Sequence, residues 1–472
     1  MKQIFMNAVN NSRIFSYFRG SDYYQLNWIN SIFFFVLDRV LNGPFLFLKR
    51  LFARWTSILD NSVLIRLFKY IGEKLHILIG LVLVFMMVIP DHKWYNKYGV
   101  MLVLLLLAVF LLKLVIVPKT RFEIAHIDYS AILFFFTIFL AGITSLFPKE
   151  SLNSIVFYGI TFIAMILVVS SINTLDDLNI LIKLVAFGIF LTAVYGIYQW
   201  KVVGIAVNPA QTDLIISQDL GGRLFSTMGN PNIYGELLVL SIPFFGAIIL
   251  NEKALIKKAF WIILLLPIIL VLFKTGSRSA WGALAIAMFV FVFLWNKKFI
   301  PIFILLGIIA LPFVPSSIYK RALSVFNPND TSKLYRQKIM NSALFMLKDY
   351  WVTGVGLGTN VAGTIFQRYK SFGLTRVAHT HNLYIQIWLE AGIFAILTFF
   401  MLIFRMFRNT IIAVREKKNP AAIHILIASL SAALGLLVMG FADHVWFYNR
   451  ILFMFWIDIS IGLTALKLLK RT

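Results

Sequence analysis

The chain has 472 residues, of which 60% are hydrophobic and only 14% charged, and its 44 Lys and Arg against 20 Asp and Glu give a formal net charge of +24. An ordinary soluble domain carries roughly 25% charged residues, so a soluble multidomain enzyme is excluded and a polytopic membrane protein is expected. Basic residues collect beside membrane spans and anionic headgroups, so the positive excess points to membrane lipids as partners and not to nucleic acid. With no Cys in the sequence, disulfides, thiolate catalysis and Cys-ligated metals fall away.

In chain order, residues 1–25 are polar and aromatic, without the apolar core of a cleavable signal. Segment 27–54 is apolar and aromatic but interrupted by Asp38, Arg39 and Pro44. A central Asp or Arg costs roughly 2.5–3.5 kcal/mol on insertion, so residues 1–74 are expected to be an extension of amphipathic helices on the inner membrane surface. Spans of about 20 mostly apolar residues follow. They are predicted at 75–90, 98–118, 127–147, 152–172, 178–200, 232–250, 257–274, 278–296, 299–316, 382–404, 421–441 and 447–468. Lipid offers the backbone no hydrogen bonds, so each must be helical. The expected fold is an all-α polytopic membrane protein of about twelve transmembrane helices. Nine of them occupy 75–316, a large extracytoplasmic loop fills 317–381, and 382–472 holds the last three with a cytoplasmic tail. Within the loop, Tyr335, Ile339, Ala343, Met346, Leu347 and Tyr350 recur at helical spacing and predict an amphipathic helix that lies on the membrane or caps a cavity.

Lys and Arg orient the bundle. One set of short loops and the tail hold fifteen, including Lys119, Arg121, Lys253, Arg405 and Lys467, and the opposite set holds seven, including Lys93, Lys149, Arg223 and Arg278. The richer set faces the cytoplasm, and both termini lie inside. Three spans with polar starts then begin outside: Gly222-Arg223 through Asn230-Pro231-Asn232, Lys274-Thr275-Gly276-Ser277-Arg278, and His379-Thr380-His381-Asn382. Helix N-termini expose free amides, and guanidinium forks match phosphate oxygens. Together they suggest an extracytoplasmic site for a phosphate-bearing substrate. The predicted outer loops show no acidic pair or His cluster suited to a metal, so neither metal nor cofactor is expected. Glu390 and Asp458 sit within spans and are functional candidates by position. Gly354, Gly356 and Gly358 are read as a tight turn.

His381-Asn382 followed after nine residues by Gly392 resembles the signature of the O-antigen ligase and polymerase superfamily. Arg223 upstream of Asn230-Pro231-Asn232, the Ser277-Arg278 start, the Gly354–Gly358 stretch and the span layout are similar to that family as well. The resemblance implies a bacterial cytoplasmic-membrane glycosyltransferase that moves a glycan from a polyprenyl-diphosphate carrier to a hydroxyl of a glycan or lipid-glycan acceptor. It further implies that His381 acts as base or orients the hydroxyl, with Asn382 holding the ring or the acceptor. Arg223 and Arg278 would bind the diphosphate, and a single displacement would invert the anomeric centre. Arg336, Arg368 and Arg376 in the long loop are second-tier contacts, and Trp351, Tyr369 and Trp388 are candidates for stacking on sugar rings. A transporter or flippase of lipid-linked oligosaccharide is the alternative, and predicts internal repeats and discontinuous helices at the midplane.

Overall fold

A computed structural model of the full chain describes residues 23–54, 61–206, 222–310, 319, 323, 331–371, 374 and 377–471. Among these residues every regular element is helical. Nine helices are long and apolar enough to cross a membrane, and a tenth span results if Val63–Glu73 and Leu75–Val88, bent by 64°, count as one. The predicted first span therefore shares a broken unit with the chain before it, the break falling at the charged pair Glu73-Lys74. The span predicted at 127–147 is a shorter apolar helix, Tyr129–Ile143, capped by Asp128, whose side chain accepts from Ser130 N. The span predicted at 278–296 and the described part of that predicted at 299–316 form one helical run, Arg278–Ile309, whose end lies outside the described residues. It is interrupted at Asn296, whose backbone is extended (φ −162°) and whose side chain caps a short tightened turn over Lys297–Phe299 by accepting from Lys298 N.

The Pro231–Asn251, Pro420–Met439 and Asn449–Arg471 helices form the centre, with 83%, 83% and 94% of their apolar windows buried. Small residues allow this closeness: a Cβ on Gly435 would lie 2.8 Å from Val239 and 2.9 Å from Ala287. The Asn96–Ile116, Leu255–Lys274 and Arg278–Ile309 helices are largely exposed along their apolar faces.

The loops between the described helices lie at two ends of the bundle. At one end Arg405 Nε reaches both oxygens of Asp128 at 2.7 and 2.8 Å. Lys467 donates to the carbonyls of Val169 and Ile172, closing the C-terminus of the Pro148–Ser171 helix. Arg471 pairs with Glu123 at 2.9 Å, and the half-buried Glu123 carboxyl is held down at about 2, since its His126 hydrogen bond and the Arg471 and Lys467 charges outweigh burial. The N-terminal helices Tyr23–Ile29 and Ile32–Arg54 are tied to this end. Gln25 donates to Ile127 O at 3.0 Å, Asn42 brackets the backbone of Phe122, and Arg121 pairs with Asp38 at 2.7 Å. Away from those ties the Ile32–Arg54 helix leaves Ile32, Phe33, Val40 and Phe47 exposed.

The expected loop helix is present as Thr331–Tyr350. Ile339, Ala343, Met346 and Leu347 are buried in a small second core with Val361, Ile365 and Phe366 of the Thr359–Phe366 helix and with Leu389. Tyr335 remains exposed.

Candidate functional site

At the other end of the bundle the loops around Arg223, Thr275, His381 and Asp443 come together. Arg223 is buried (7% exposed), and its Nε donates to Thr275 O at 2.8 Å while Nη2 donates to Asn232 Oδ1 at 2.6 Å. Leu224 N donates to Lys274 O at 3.0 Å, so two of the three polar helix starts are stitched directly together. Gly276 has φ +61° and packs its open face toward Arg223 Nε. Asn230 caps the Pro231–Asn251 helix by accepting from Asn232 N, and Arg278 opens the next helix directly after Ser277. A third arginine, Arg450, lies next to this loop, where it binds Asp91 at 2.6 Å and the carbonyls of Ile89 and Thr227.

His381 lies at the start of the Leu383–Glu416 helix. Its φ of +51° is unusual for a side-chain-bearing residue, and such strain survives only where neighbours fix it. Its N–H donates to His379 Nδ1 at 3.2 Å, and its ring Nδ1 lies 3.0 Å from Asp443 Oδ1. With Asp443 as acceptor, Nδ1 carries the proton and Nε2 is left with the lone pair that can take one. Asp443 is partly buried. Burial alone would raise its carboxyl, but the His381 hydrogen bond and the His381, Arg336 and His379 charges hold it well below the carboxylate range. Burial, aided by the His381 and Arg336 charges, lowers His379 to about 4. Buried His444 is pushed well below its ordinary value by the same cause. Both imidazoles are therefore neutral near pH 7.

Asn382 is engaged by the backbone on both sides. Its Oδ1 accepts from Ile385 N at 3.0 Å and its Nδ2 donates to Phe441 O at 3.2 Å. The side chain is a cap and a tether that fixes His381 from behind.

Gly392 explains the spacing of the motif. At φ +76° it breaks the helix, and the stretch holding Gly354, Gly356 and Gly358, all at positive φ, docks into the break. Val355 N donates to Leu389 O at 2.8 Å, Gly356 N to Glu390 O at 3.0 Å, and Ile393 N to Trp351 O at 3.0 Å. The backbone groups freed by the break are thus satisfied inside the protein. Glu390 locks the same loop: Oε2 accepts from Gly358 N at 3.0 Å and Oε1 from Gln386 Nε2 at 2.6 Å. Gln386 in turn accepts from Thr380 N at 2.9 Å, one residue before His381. Asp458 is at the opposite extreme, with both carboxylate oxygens sealed and unpaired among the described residues.

Of the loop candidates, Arg336 is partly buried and its charge reaches His379 and Asp443. Arg368 is exposed just beyond the C-terminus of the Thr359–Phe366 helix, and Arg376 lies outside the described residues. Trp388 donates to Trp351 O at 2.7 Å, which fixes it beside the glycine stretch. Tyr369 donates to Asp349 at 2.5 Å. His379, His381 and Asp443 each present a ligand atom, all within 4.8 Å of one another, a set chemically able to hold a divalent ion. Sequence reading had found no such cluster, because Asp443 is 62 residues from His381 and meets it only through packing of the Pro420–Met439 helix. The available signal was the polar pair Asp443-His444 between two apolar runs, on the side that His381 occupies.

Residues 237–400, about a third of the chain, match a family model described as O-antigen ligase, and the match spans Arg278, His381, Asn382 and Gly392. No curated protein matches the chain.

Proposed function

We propose, from the match of residues 237–400 to a family model described as O-antigen ligase, that this protein transfers a glycan from a polyprenyl-diphosphate carrier to an acceptor hydroxyl. In this reading the bundle crosses the cytoplasmic membrane about twelve times and the site faces outward, where surface polysaccharide is assembled. The observation that supports it best is the meeting, at one end of the bundle, of a buried guanidinium and a strained histidine paired with a carboxylate.

The chemistry follows from the groups. Cleaving the anomeric C–O bond leaves negative charge on the carrier diphosphate. Arg223 and Arg278, with the free amides of the helix starts after Asn230 and Ser277, would stabilise that charge. Asn232 and Thr275 O hold the Arg223 fork at Nη2 and Nε, so its plane is set before substrate arrives. The acceptor hydroxyl gives its proton to His381 Nε2 as its oxygen bonds to the anomeric carbon. Asp443 stabilises the imidazolium that forms. One displacement inverts the anomeric centre and releases polyprenyl diphosphate. No metal is required, because the guanidinium groups supply the positive charge and Asp443 already engages Nδ1.

The test is transfer by the full-length protein in lipid vesicles, using the lipid-linked glycan pool extracted from the cells that make it. The wild type is expected to release carrier diphosphate and extend acceptor glycan in the presence of a chelator, and His381→Ala to do neither. Movement of intact lipid-linked glycan across the vesicle without carrier release would replace this reading by a flippase.

A further inference from the structure

A carboxylate unused by this mechanism lies between the two halves of the site. Glu236 is on the Pro231–Asn251 helix, four residues after Asn232, and residues at that spacing share a helix face. Asn232 on that face holds Arg223, so Glu236 emerges one turn beneath the Arg223–Asn232 pair. From there it is coupled electrostatically to Asp443, the partner of His381, and to Tyr448. It therefore lies between the Arg223–Asn232 pair and the carboxylate that holds His381, on one of the three central helices.

The side chain is only 3% exposed, and no hydrogen bond or ion pair to a described residue reaches its carboxylate. Other buried carboxyls of the bundle are engaged, Asp128 by Arg405 and Ser130 and Glu390 by Gln386 and Gly358. Asp458 is unpaired but sealed in the apolar interior, and the Glu236 oxygens are not among the sealed ones. An ionisable group inside a span either pairs within the protein or marks the path of a ligand. Here no described residue supplies a partner, and the neighbours fixed by the helix face and the electrostatics are the Arg223–Asn232 pair and Asp443.

We propose that Glu236 is a substrate-binding residue that accepts a hydrogen bond from a saccharide hydroxyl, holding one sugar ring between Arg223 and His381. A carboxylate offers only acceptor positions, which suits a ring whose hydroxyls are donors, and does not suit the diphosphate itself. A buried acceptor left unsatisfied by a deoxy sugar discriminates strongly against it. The ring belongs either to the donor, at the anomeric carbon, or to the acceptor, at the attacking hydroxyl. This inference rests on the glycan-transfer reading.

The experiment measures transfer by full-length wild type, Glu236→Gln, Glu236→Ala and His381→Ala in vesicles, with the extracted lipid-linked glycan pool as donor and the purified surface glycan as acceptor. Glu236→Gln is expected to melt as the wild type does and to raise the KM of one substrate at least tenfold, with kcat changed less. A shift confined to the donor or to the acceptor identifies which ring is held. Both KM values within twofold of wild type in Glu236→Gln, or a loss of activity that only follows a loss of thermal stability, overturn the assignment. Where Glu236→Ala fails to fold, the isosteric Gln variant decides. An inactive His381→Ala beside a fully active Glu236→Gln rejects only this inference, whereas a wild type that transfers nothing rejects the glycan-transfer reading.

Discussion

Gly392→Ala tests the docking of the glycine stretch into the broken helix. At φ +76° an added Cβ would lie 2.0 Å from Val352 O and 2.7 Å from Val352 C, both backbone atoms. A left-handed conformation costs an alanine roughly 1–2 kcal/mol. Relieving a backbone contact that short means moving the 351–358 segment by more than 1 Å, which breaks the bonds from Val355 N, Gly356 N and Ile393 N. At about 1 kcal/mol net each, those three add roughly 3 kcal/mol. The expected loss of about 4–5 kcal/mol is a large part of the 5–15 kcal/mol that holds most folds together. Thermal melting in detergent is expected to drop by many degrees, and limited proteolysis to cut near residues 351–358. Transfer activity should disappear with the loop. Gly282→Ala is the control: nothing lies within 4 Å of its Cβ position, so it should gain roughly 0.5–1 kcal/mol from helix propensity. A Gly392→Ala protein with the melting curve, protease pattern and activity of the wild type would refute the reasoning.

Asp443→Asn leaves the contact with His381 but removes the charge that stabilises an imidazolium, so kcat should fall roughly 10²-fold or more, as measured by carrier diphosphate release. Arg223→Lys loses the fork held by Asn232 and Thr275 O, and a donor KM raised at least tenfold would be its mark. For His379, lowered to about 4 from 6.5, the unfolded chain takes up a proton that the folded chain refuses. Acidification from pH 6.5 toward 4 should therefore destabilise the fold by up to roughly 3 kcal/mol, and His379→Gln should flatten that part of the melting-versus-pH profile. Asp443 acts in a separate window, stabilising above its ordinary value near 3.8 and losing that contribution as pH falls below it. Arg405→Met strands the buried Asp128 carboxylate, so a melting loss equivalent to roughly 3–5 kcal/mol is expected.

The membrane character, the helical class and the long-loop helix were legible because each depends on composition and period, which are local. The helix starts at Asn230, Ser277 and Asn382 were legible for the same reason. What escaped the sequence depended on contacts between distant residues. Hydropathy cannot separate a turn from a continuous helix where Lys297 and Lys298 interrupt an apolar run. It also cannot reveal that a glycine inside a span is a break. Gly392 became intelligible only through Val352, 40 residues earlier, whose carbonyl occupies the place of a side chain. Glu390 looked like a candidate for chemistry and proves to be the lock of that same loop. Asp443 and Glu236 carry no motif, and both gain meaning from what the packing brings beside them.

The strained backbone at His381 follows from this arrangement. A φ of +51° has to be imposed from outside, and two independent segments impose it. From one side, Gly358 holds Glu390, Glu390 holds Gln386, and Gln386 holds Thr380 N. From the other, Leu383 N donates to Gly440 O at 2.8 Å and Asn382 to Phe441 O, while Asp443 in the same loop takes the His381 ring. The 440–443 turn therefore fixes the backbone and the imidazole of one residue at once, so neither can be reoriented without the other. If His381 is the base of the proposed transfer, held in this way it loses little entropy when substrate binds, whereas one relying on its own rotamer preference would. The glycine stretch, which contributes no reactive side chain, then acts on catalysis through position alone, and its disruption should lower kcat more than it raises either KM.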